Sequence, residues 1–65
     1  AMTFGEKLRN LREERGFSQT DLAGITGFTR RSVYNWERDK KHPKNIATLE
    51  VLSRALGVDL TYWWN

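Results

Sequence analysis

The apolar residues recur at helical spacing in several stretches of the chain, separated by short polar segments. The first stretch places three apolar side chains on one face of a helix, at Phe4, Leu8 and Leu11. Thr3 and Glu6 have the spacing of a capping box, and Gly16 is the residue type expected where a helix ends. A first helix is therefore predicted from Thr3 to about Gly16.

A second, shorter helix is predicted after Phe17. Ser18 is a good N-cap with Asp21 three residues later, and Gly27 ends the helix. Three apolar residues are expected to be buried, namely Leu22, Ala23 and Ile25. Gly24 is expected to allow close packing against another helix, and Phe28 to lie buried in the following turn.

The remaining pattern predicts three more helices and no strand. Thr29 is the expected N-cap of a third helix that runs to about Arg38. The polar stretch 39–44 contains the only proline and is expected to be an exposed loop. A fourth helix is expected from Ile46 or Ala47 to Leu56, and its buried side chains are expected to be Leu49, Leu52, Ala55 and Leu56. Asp59 is then expected to cap a short fifth helix over Leu60 to Trp64. The fold class is predicted to be all-α, with five helices in a single domain over 1–65.

Helical geometry divides the third helix into two faces. At roughly 100° per residue, Val33 and Trp36 fall on one side and are expected to anchor the helix on the core. The opposite side carries polar and basic residues, namely Arg30, Arg31, Tyr34, Asn35 and Arg38. Arginine can bond two acceptors on guanine, and asparagine can bond adenine in the same bidentate way. The exposed face therefore has the residue types that suit the major groove of double-stranded DNA.

The positive charge of the chain is concentrated at this helix and the loop after it. The chain of 65 residues has a net charge of +3, but residues 29–44 alone carry six basic and two acidic side chains. Such a cluster is either a solvated basic surface or the binding site of a polyanion. For a nucleic acid, the candidate phosphate contacts are Ser18, Gln19, Thr29, Lys40, Lys41 and Lys44.

Composition argues against several other classes. Cysteine is absent, His42 is the only histidine, and neither a glycine-rich phosphate loop nor a metal-ligand spacing occurs. We therefore expect no enzymatic activity, no metal and no cofactor. No apolar run approaches the ~20 residues that span a bilayer, so no membrane partner is expected and the cytoplasm is the default location. The positive charge does not exclude RNA as the partner. The sequence lacks an exposed aromatic pair at strand spacing, however, which would support base stacking on RNA.

Three motifs lie in register along the chain: SQTDLA at 18–23, GFTRRSV at 27–33 and WER at 36–38. They resemble the helix-turn-helix domains of the phage Cro/cI repressor type, also called the xenobiotic-response-element-like family. The resemblance extends over about Phe4 to Trp64. It implies a compact five-helix domain like that of lambda repressor, with the helix-turn-helix at about 18–38. The third helix, about 30–38, is then the recognition helix.

The resemblance also implies roles for individual residues. Base contacts would come from Arg30, Arg31, Tyr34 and Asn35. Gln19, Thr29, Arg38 and Lys40 would contact phosphate. Arg12 and Glu37 match a pair that forms a salt bridge between the first and third helices in related repressors. Asp39 departs from the family pattern, which commonly has glycine after the third helix.

The end of the chain leaves two hypotheses open. In the first, the protein is a bacterial or phage-encoded transcriptional regulator that binds an operator as a homodimer, with possible dimer contacts at Leu60, Trp63 and Trp64. In the second, the chain is chiefly a protein-interaction module, such as the antitoxin of a toxin–antitoxin pair or an anti-repressor partner. The aromatic end at 62–64 would then contact the protein partner, or join a further domain.

Overall fold

A computed structural model describes residues 1–64, and all the regular secondary structure in this range is helical. The four α-helices are α1 (Phe4–Glu14), α2 (Gln19–Thr26), α3 (Arg30–Glu37) and α4 (Ile46–Leu56). The predicted all-α class is confirmed for this part of the chain, and the helix bounds lie within about two residues of those predicted. The predicted fifth helix is instead a 3-10 helix, Leu60–Trp64. The Asp59 side chain accepts a hydrogen bond from the Thr61 N–H, and its carbonyl accepts one from the Tyr62 N–H, the i→i+3 bond that is typical of a 3-10 helix.

Side-chain caps set the start of each α-helix. Thr3 and Ser18 each form a full capping box, and Thr29 accepts a hydrogen bond from the backbone of Ser32. These three caps are the ones predicted from the sequence. A fourth cap, Asn45 at the start of α4, was not predicted.

The core draws two buried apolar side chains from each of the four α-helices. Its buried apolar members are Leu8, Leu11, Leu22, Ala23, Val33, Trp36, Leu52 and Leu56. Helix α3 packs against both α1 and α2, and α4 packs against α2. Helix α3 is thus held by two neighbouring helices, and the rest of its surface is open.

Two packing predictions for α2 are wrong. Ile25 is 55% exposed, because at about 100° per residue it lies about 110° from the middle of the buried face defined by Leu22 and Ala23. Gly24 has no atom within 4 Å of the position that a Cβ would take, so it makes no close approach. The close approach occurs at Gly5 in α1, where a Cβ would lie 2.6 Å from the carbonyl oxygen of Trp36. In α4, Leu49 and Ala55 are only half-buried.

The aromatic tail, residues 62–64, contacts α1 and α4 through Trp63. The indole N–H of Trp63 donates to the hydroxyl of Ser53 at 2.7 Å, and its ring packs against Phe4 with centroids 5.1 Å apart. Trp63 is half-buried by these contacts, whereas Trp64 is 62% exposed. None of the helices in residues 1–64 is long and apolar enough to cross a membrane.

Candidate nucleic-acid interface

Helix α3 separates into a buried and an open face, as helical geometry predicts. Val33 is fully buried, and Trp36 is buried with its ring edge-on to Phe28 at a centroid distance of 5.3 Å. On the other side Arg30, Arg31 and Tyr34 are exposed and Asn35 is half-buried. The buried pair fixes the position of the helix, so the open face is presented in one defined orientation.

The four candidate base contacts share one open hollow on that face. Its lining consists of Arg30, Arg31, Tyr34, Asn35 and Lys40. Lys40 reaches this hollow because the chain turns sharply after α3: its backbone N–H donates to the carbonyl of Asn35 at 3.0 Å. The hollow therefore combines three positive charges with one amide and one phenol, and we call it the recognition hollow.

The turn after α3 depends on Asp39, which adopts a left-handed backbone with φ 57°. The family commonly places glycine here, but the turn keeps the left-handed geometry that a glycine would give. The Asp39 carboxylate accepts hydrogen bonds from the Thr3 hydroxyl at 2.6 Å and the Gly5 N–H at 3.0 Å. These bonds, with the Thr3 hydroxyl contributing most, lower the pKa of Asp39 below its ordinary value. The capping role of Asp39 was not predicted from the sequence.

The lysines predicted to contact phosphate do not form a single cluster. Lys41 and Lys44 line a separate groove, beside Phe28 and Trp36 and next to the start of α4. Arg38 caps α3, and its guanidinium carbon lies 5.4 Å from the centroid of the Tyr34 ring. Arg38 thus lies next to the recognition hollow, whereas Lys41 and Lys44 belong to the separate groove.

The three predicted phosphate contacts at helix starts all make hydrogen bonds within the domain. The hydroxyls of Ser18 and Thr29 accept from backbone N–H groups in their own helices, at 2.9 Å and 3.0 Å. The amide of Gln19 donates to Glu37 Oε1 at 3.0 Å. Their side chains are therefore held in place, and Gln19 retains one N–H for a further partner.

Beneath Gln19 lies an ion pair between Arg12 and Glu37. Arg12 Nε is 2.6 Å from Glu37 Oε2, and Arg12 Nη2 donates to Oε1 at 3.0 Å. Both side chains are at least nine-tenths buried, and the hydrogen bond to Glu37 raises the pKa of Arg12. Arg12 Nη1 also donates to the carbonyl of Phe17, at 2.7 Å. The pair ties α1 to α3, and the network makes the orientation of Gln19 depend on both of them.

One basic residue beside this network was not among the residues predicted from the sequence. Arg9 lines a second hollow together with Gln19, Tyr34 and Arg38. The available signal was its spacing, since Arg9 lies three residues before Arg12 and thus on the same side of α1. Within residues 1–64, no group of three His, Asp or Glu side chains is placed to hold a metal ion.

These features define a helix-turn-helix domain. Two short helices are joined by a turn at Gly27, where φ is 82°, and the second helix is packed on the core with a basic face left open. The family model described as "Helix-turn-helix" matches residues 8–63. The chain belongs to this family.

The named relatives of this chain include phage and prophage regulators. The chain is 33% identical over 60 residues to the immunity repressor protein of Bacillus phage phi105, an alignment that covers 92% of this chain and 41% of that protein. It is 37% identical over 59 residues to YonR, a prophage-derived HTH-type transcriptional regulator of Bacillus subtilis, covering 91% and 54%. The chain thus spans about half the length of these relatives or less. Both relatives are thus named as a repressor or a transcriptional regulator.

Solved structures agree with this assignment. SinR, the master regulator for biofilm formation, in complex with DNA superposes with a TM-score of 0.90 at 25% identity, covering 97% of this chain and all of that one. The P22 c2 repressor in complex with a synthetic operator gives a TM-score of 0.88 at 28% identity, covering 97% and 94%. The fold is therefore that of the Cro/cI repressor type, as the sequence motifs predicted.

Proposed function

We propose that this domain binds double-stranded operator DNA with α3 in the major groove and thereby serves a transcriptional regulator. The observation that carries the proposal is the recognition hollow: every candidate base contact opens onto it, opposite the buried Val33 and Trp36. Two similar structures, of SinR and the P22 c2 repressor, are complexes with DNA, which supports the same partner here. A domain acting on an operator would work in the cytoplasm of a bacterial host.

Roles within the site follow from chemistry. Arg30, Arg31 and Asn35 would read base edges, since arginine and asparagine make bidentate contacts to guanine and adenine. Tyr34 would offer its hydroxyl to a base or phosphate and its ring to a thymine methyl. The phosphate contacts would be Ser18, Gln19, Thr29, Arg38, Lys40, Lys41 and Lys44, which position the domain without reading sequence.

Selection of bound sites from a random duplex library tests the proposal. A palindromic enriched sequence is expected, because a symmetric homodimer would place two recognition helices about one helical turn apart. Arg31→Ala should then relax the preference for the selected duplex over a scrambled one. Lys40→Ala should weaken binding to both duplexes by the same factor. Equal losses on both duplexes for Arg31→Ala would contradict base reading by this residue.

The homodimer contacts are proposed at the tail. Of the three candidates, Trp64 offers the largest exposed ring, whereas Leu60 and Trp63 are half-buried. Sedimentation of the domain with and without the selected duplex, for the natural sequence and for Trp64→Ser, tests this. Unchanged assembly on DNA for Trp64→Ser would remove Trp64 from the interface.

A second function, as a protein-interaction module such as an antitoxin or anti-repressor partner, is favoured by two observations. Trp64 is exposed, and a structure of SinR in complex with SinI protein superposes with a TM-score of 0.88 at 25% identity. In this case the selection would give no enriched duplex, and a small protein would co-purify with the chain from its native host. The two functions are compatible if the partner controls DNA binding.

A further inference from the structure

Asp39 is an acidic residue in the most basic part of the chain, between Arg38 and the lysines Lys40 and Lys41. Its neighbour Lys40 lines the recognition hollow, whereas Asp39 does not. If charge alone governed DNA binding at this point, Asp39 would weaken it, because a carboxylate repels the phosphates of the duplex. The contacts of Asp39 favour a different role.

The turn that brings Lys40 to the recognition hollow is a Schellman motif. The N–H of Asp39 donates to the carbonyl of Trp36 at 3.1 Å, and the N–H of Lys40 donates to the carbonyl of Asn35 at 3.0 Å. This motif needs a left-handed backbone at position 39, where φ is 57°. Glycine adopts that conformation without strain, whereas a residue with a side chain does so at a cost. A contribution from the side chain of Asp39 must offset that cost.

The side chain of Asp39 makes this contribution through the start of α1. One carboxylate oxygen accepts from the Thr3 hydroxyl at 2.6 Å, and the other accepts from the Gly5 N–H at 3.0 Å. The second oxygen also lies 3.5 Å from Nε2 of His42. The Gly5 N–H is among the first four of α1, which have no partner within their own helix. The carboxylate therefore faces α1 and the loop, and it ties the end of α3 to the start of α1.

We propose that Asp39 is a positioning residue for DNA binding, because it holds Lys40 in the recognition hollow through this turn. Asp39 itself contacts no DNA. A lysine whose backbone is already fixed loses less conformational freedom when it meets the duplex, so its contact contributes more to the affinity. This gain exceeds the repulsion from one carboxylate that is bonded to α1. The inference rests on the proposed function, because Lys40 acts on the duplex that α3 reads.

Two substitutions with the same charge test the proposal in the whole chain. Asp39→Gly and Asp39→Asn both remove the carboxylate charge, and both residue types tolerate positive φ. Asparagine keeps an oxygen that can accept a hydrogen bond from α1, whereas glycine keeps none. Asp39→Asn is therefore the matched control. Asp39→Gly is expected to bind about two- to fivefold more weakly than Asp39→Asn, both on the duplex selected from the random library and on a scrambled duplex.

Lys40→Ala connects this difference to Lys40. The factor by which Lys40→Ala weakens binding should be large in the natural sequence and in Asp39→Asn, and should fall towards one in Asp39→Gly, where Lys40 is no longer held. A merely structural role of Asp39 would lower the urea midpoint of unfolding and leave this factor the same in all three backgrounds. Circular dichroism under the conditions of the binding assay verifies that every variant is folded.

The outcomes separate this inference from the proposed function. Equal affinities of Asp39→Gly and Asp39→Asn would overturn the inference while the proposed function stands. The same holds if Lys40→Ala costs an equal factor in all three backgrounds, or if it costs nothing in the natural sequence. Failure of the natural sequence to bind either duplex would overturn both.

Discussion

The carboxylate of Asp39 accepts a hydrogen bond from the hydroxyl of Thr3 at 2.6 Å, although the two residues lie 36 positions apart in the chain. Its other oxygen accepts from the backbone N–H of Gly5 at 3.0 Å. One side chain at the end of α3 therefore caps the start of α1. These bonds offset the unfavourable left-handed backbone of Asp39 and hold the turn that carries Lys40.

Substitutions of Asp39 should separate its side-chain and backbone contributions. We expect Asp39→Ala to lower the urea concentration at the midpoint of unfolding the most, because alanine loses both hydrogen bonds and is disfavoured at positive φ. Asp39→Asn keeps one acceptor oxygen, and Asp39→Gly removes the strain of a side chain at positive φ. The urea midpoint of each should therefore lie between those of Asp39→Ala and the natural sequence. Thr3→Ser, which retains the hydroxyl, is the control. An unchanged midpoint for Asp39→Ala would contradict the cap.

The same carboxylate predicts a loss of stability in acid. Hydrogen bonds from Thr3 and then Gly5 lower the folded-state pKa of Asp39 below the ordinary value of 3.8. A depressed folded pKa means that the stabilisation is fully present above 3.8 and is lost as the pH falls through the lower folded value. Asp21 and Asp59 are shifted in the same direction by their bonds to Ser18 and Thr61.

Urea unfolding between about pH 2 and 7 measures this effect. The natural sequence should lose stability below about pH 4. Asp39→Asn should be less stable than the natural sequence at pH 7, but the difference should shrink in acid, because the asparagine does not titrate. A constant difference between the two proteins over the whole range would show that ionised Asp39 contributes nothing.

Gly5 and Gly24 form a matched pair for a test of helix packing. A Cβ at Gly5 would lie 2.5 Å from the carbonyl oxygen of Glu37, so Gly5→Ala should push α1 away from the end of α3. We expect it to cost about 2 kcal/mol of unfolding free energy. Gly24 has open space around it, and Gly24→Ala should stabilise the protein by about 0.5–1 kcal/mol through helix propensity. Equal effects of the two substitutions in urea unfolding would contradict the close approach.

Local signals account for the features that were predicted well from the sequence. Capping residues and glycines act over a few positions, so the helix starts at Thr3, Ser18 and Thr29 follow directly from residue type. The two faces of α3 follow from helical periodicity, because at roughly 100° per residue Arg31 lies about 170° from the middle of the face defined by Val33 and Trp36. The candidate base contacts could therefore be grouped on one face from their spacing in the sequence alone.

Interactions between distant segments account for what the sequence missed. Two contacts join residues that lie more than thirty positions apart in the chain: the hydrogen bond from Thr3 to Asp39 and the approach of Gly5 to the end of α3. No local sequence pattern indicates either contact. The exposure of Ile25 has the same cause, since burial on a short helix depends on where its neighbours pack. Arg9 was missed because the hollow that it lines exists only once three helices have met.

The two tail tryptophans should differ in their contributions to stability. Trp63→Phe keeps the ring packing but removes the hydrogen bond to Ser53, and we expect it to cost about 1 kcal/mol. Trp64 is 62% exposed, and Trp64→Ser should change the unfolding free energy by less than about 0.5 kcal/mol. Urea unfolding at low protein concentration, where association is negligible, measures both. A larger loss for Trp64→Ser would show that its ring packs on the domain.

Removing one partner of the Arg12–Glu37 pair should lower the free energy of unfolding more than replacing both partners by apolar residues. Arg12→Ala leaves the Glu37 carboxylate buried without its partner, so we expect a loss of about 3 kcal/mol or more, a large share of the stability of so small a domain. Replacing both residues by methionine removes the uncompensated charge, and the double variant should be more stable than Arg12→Ala. Urea unfolding of the two variants measures the difference. If the double variant were the less stable, the buried charge would not be the source of the loss.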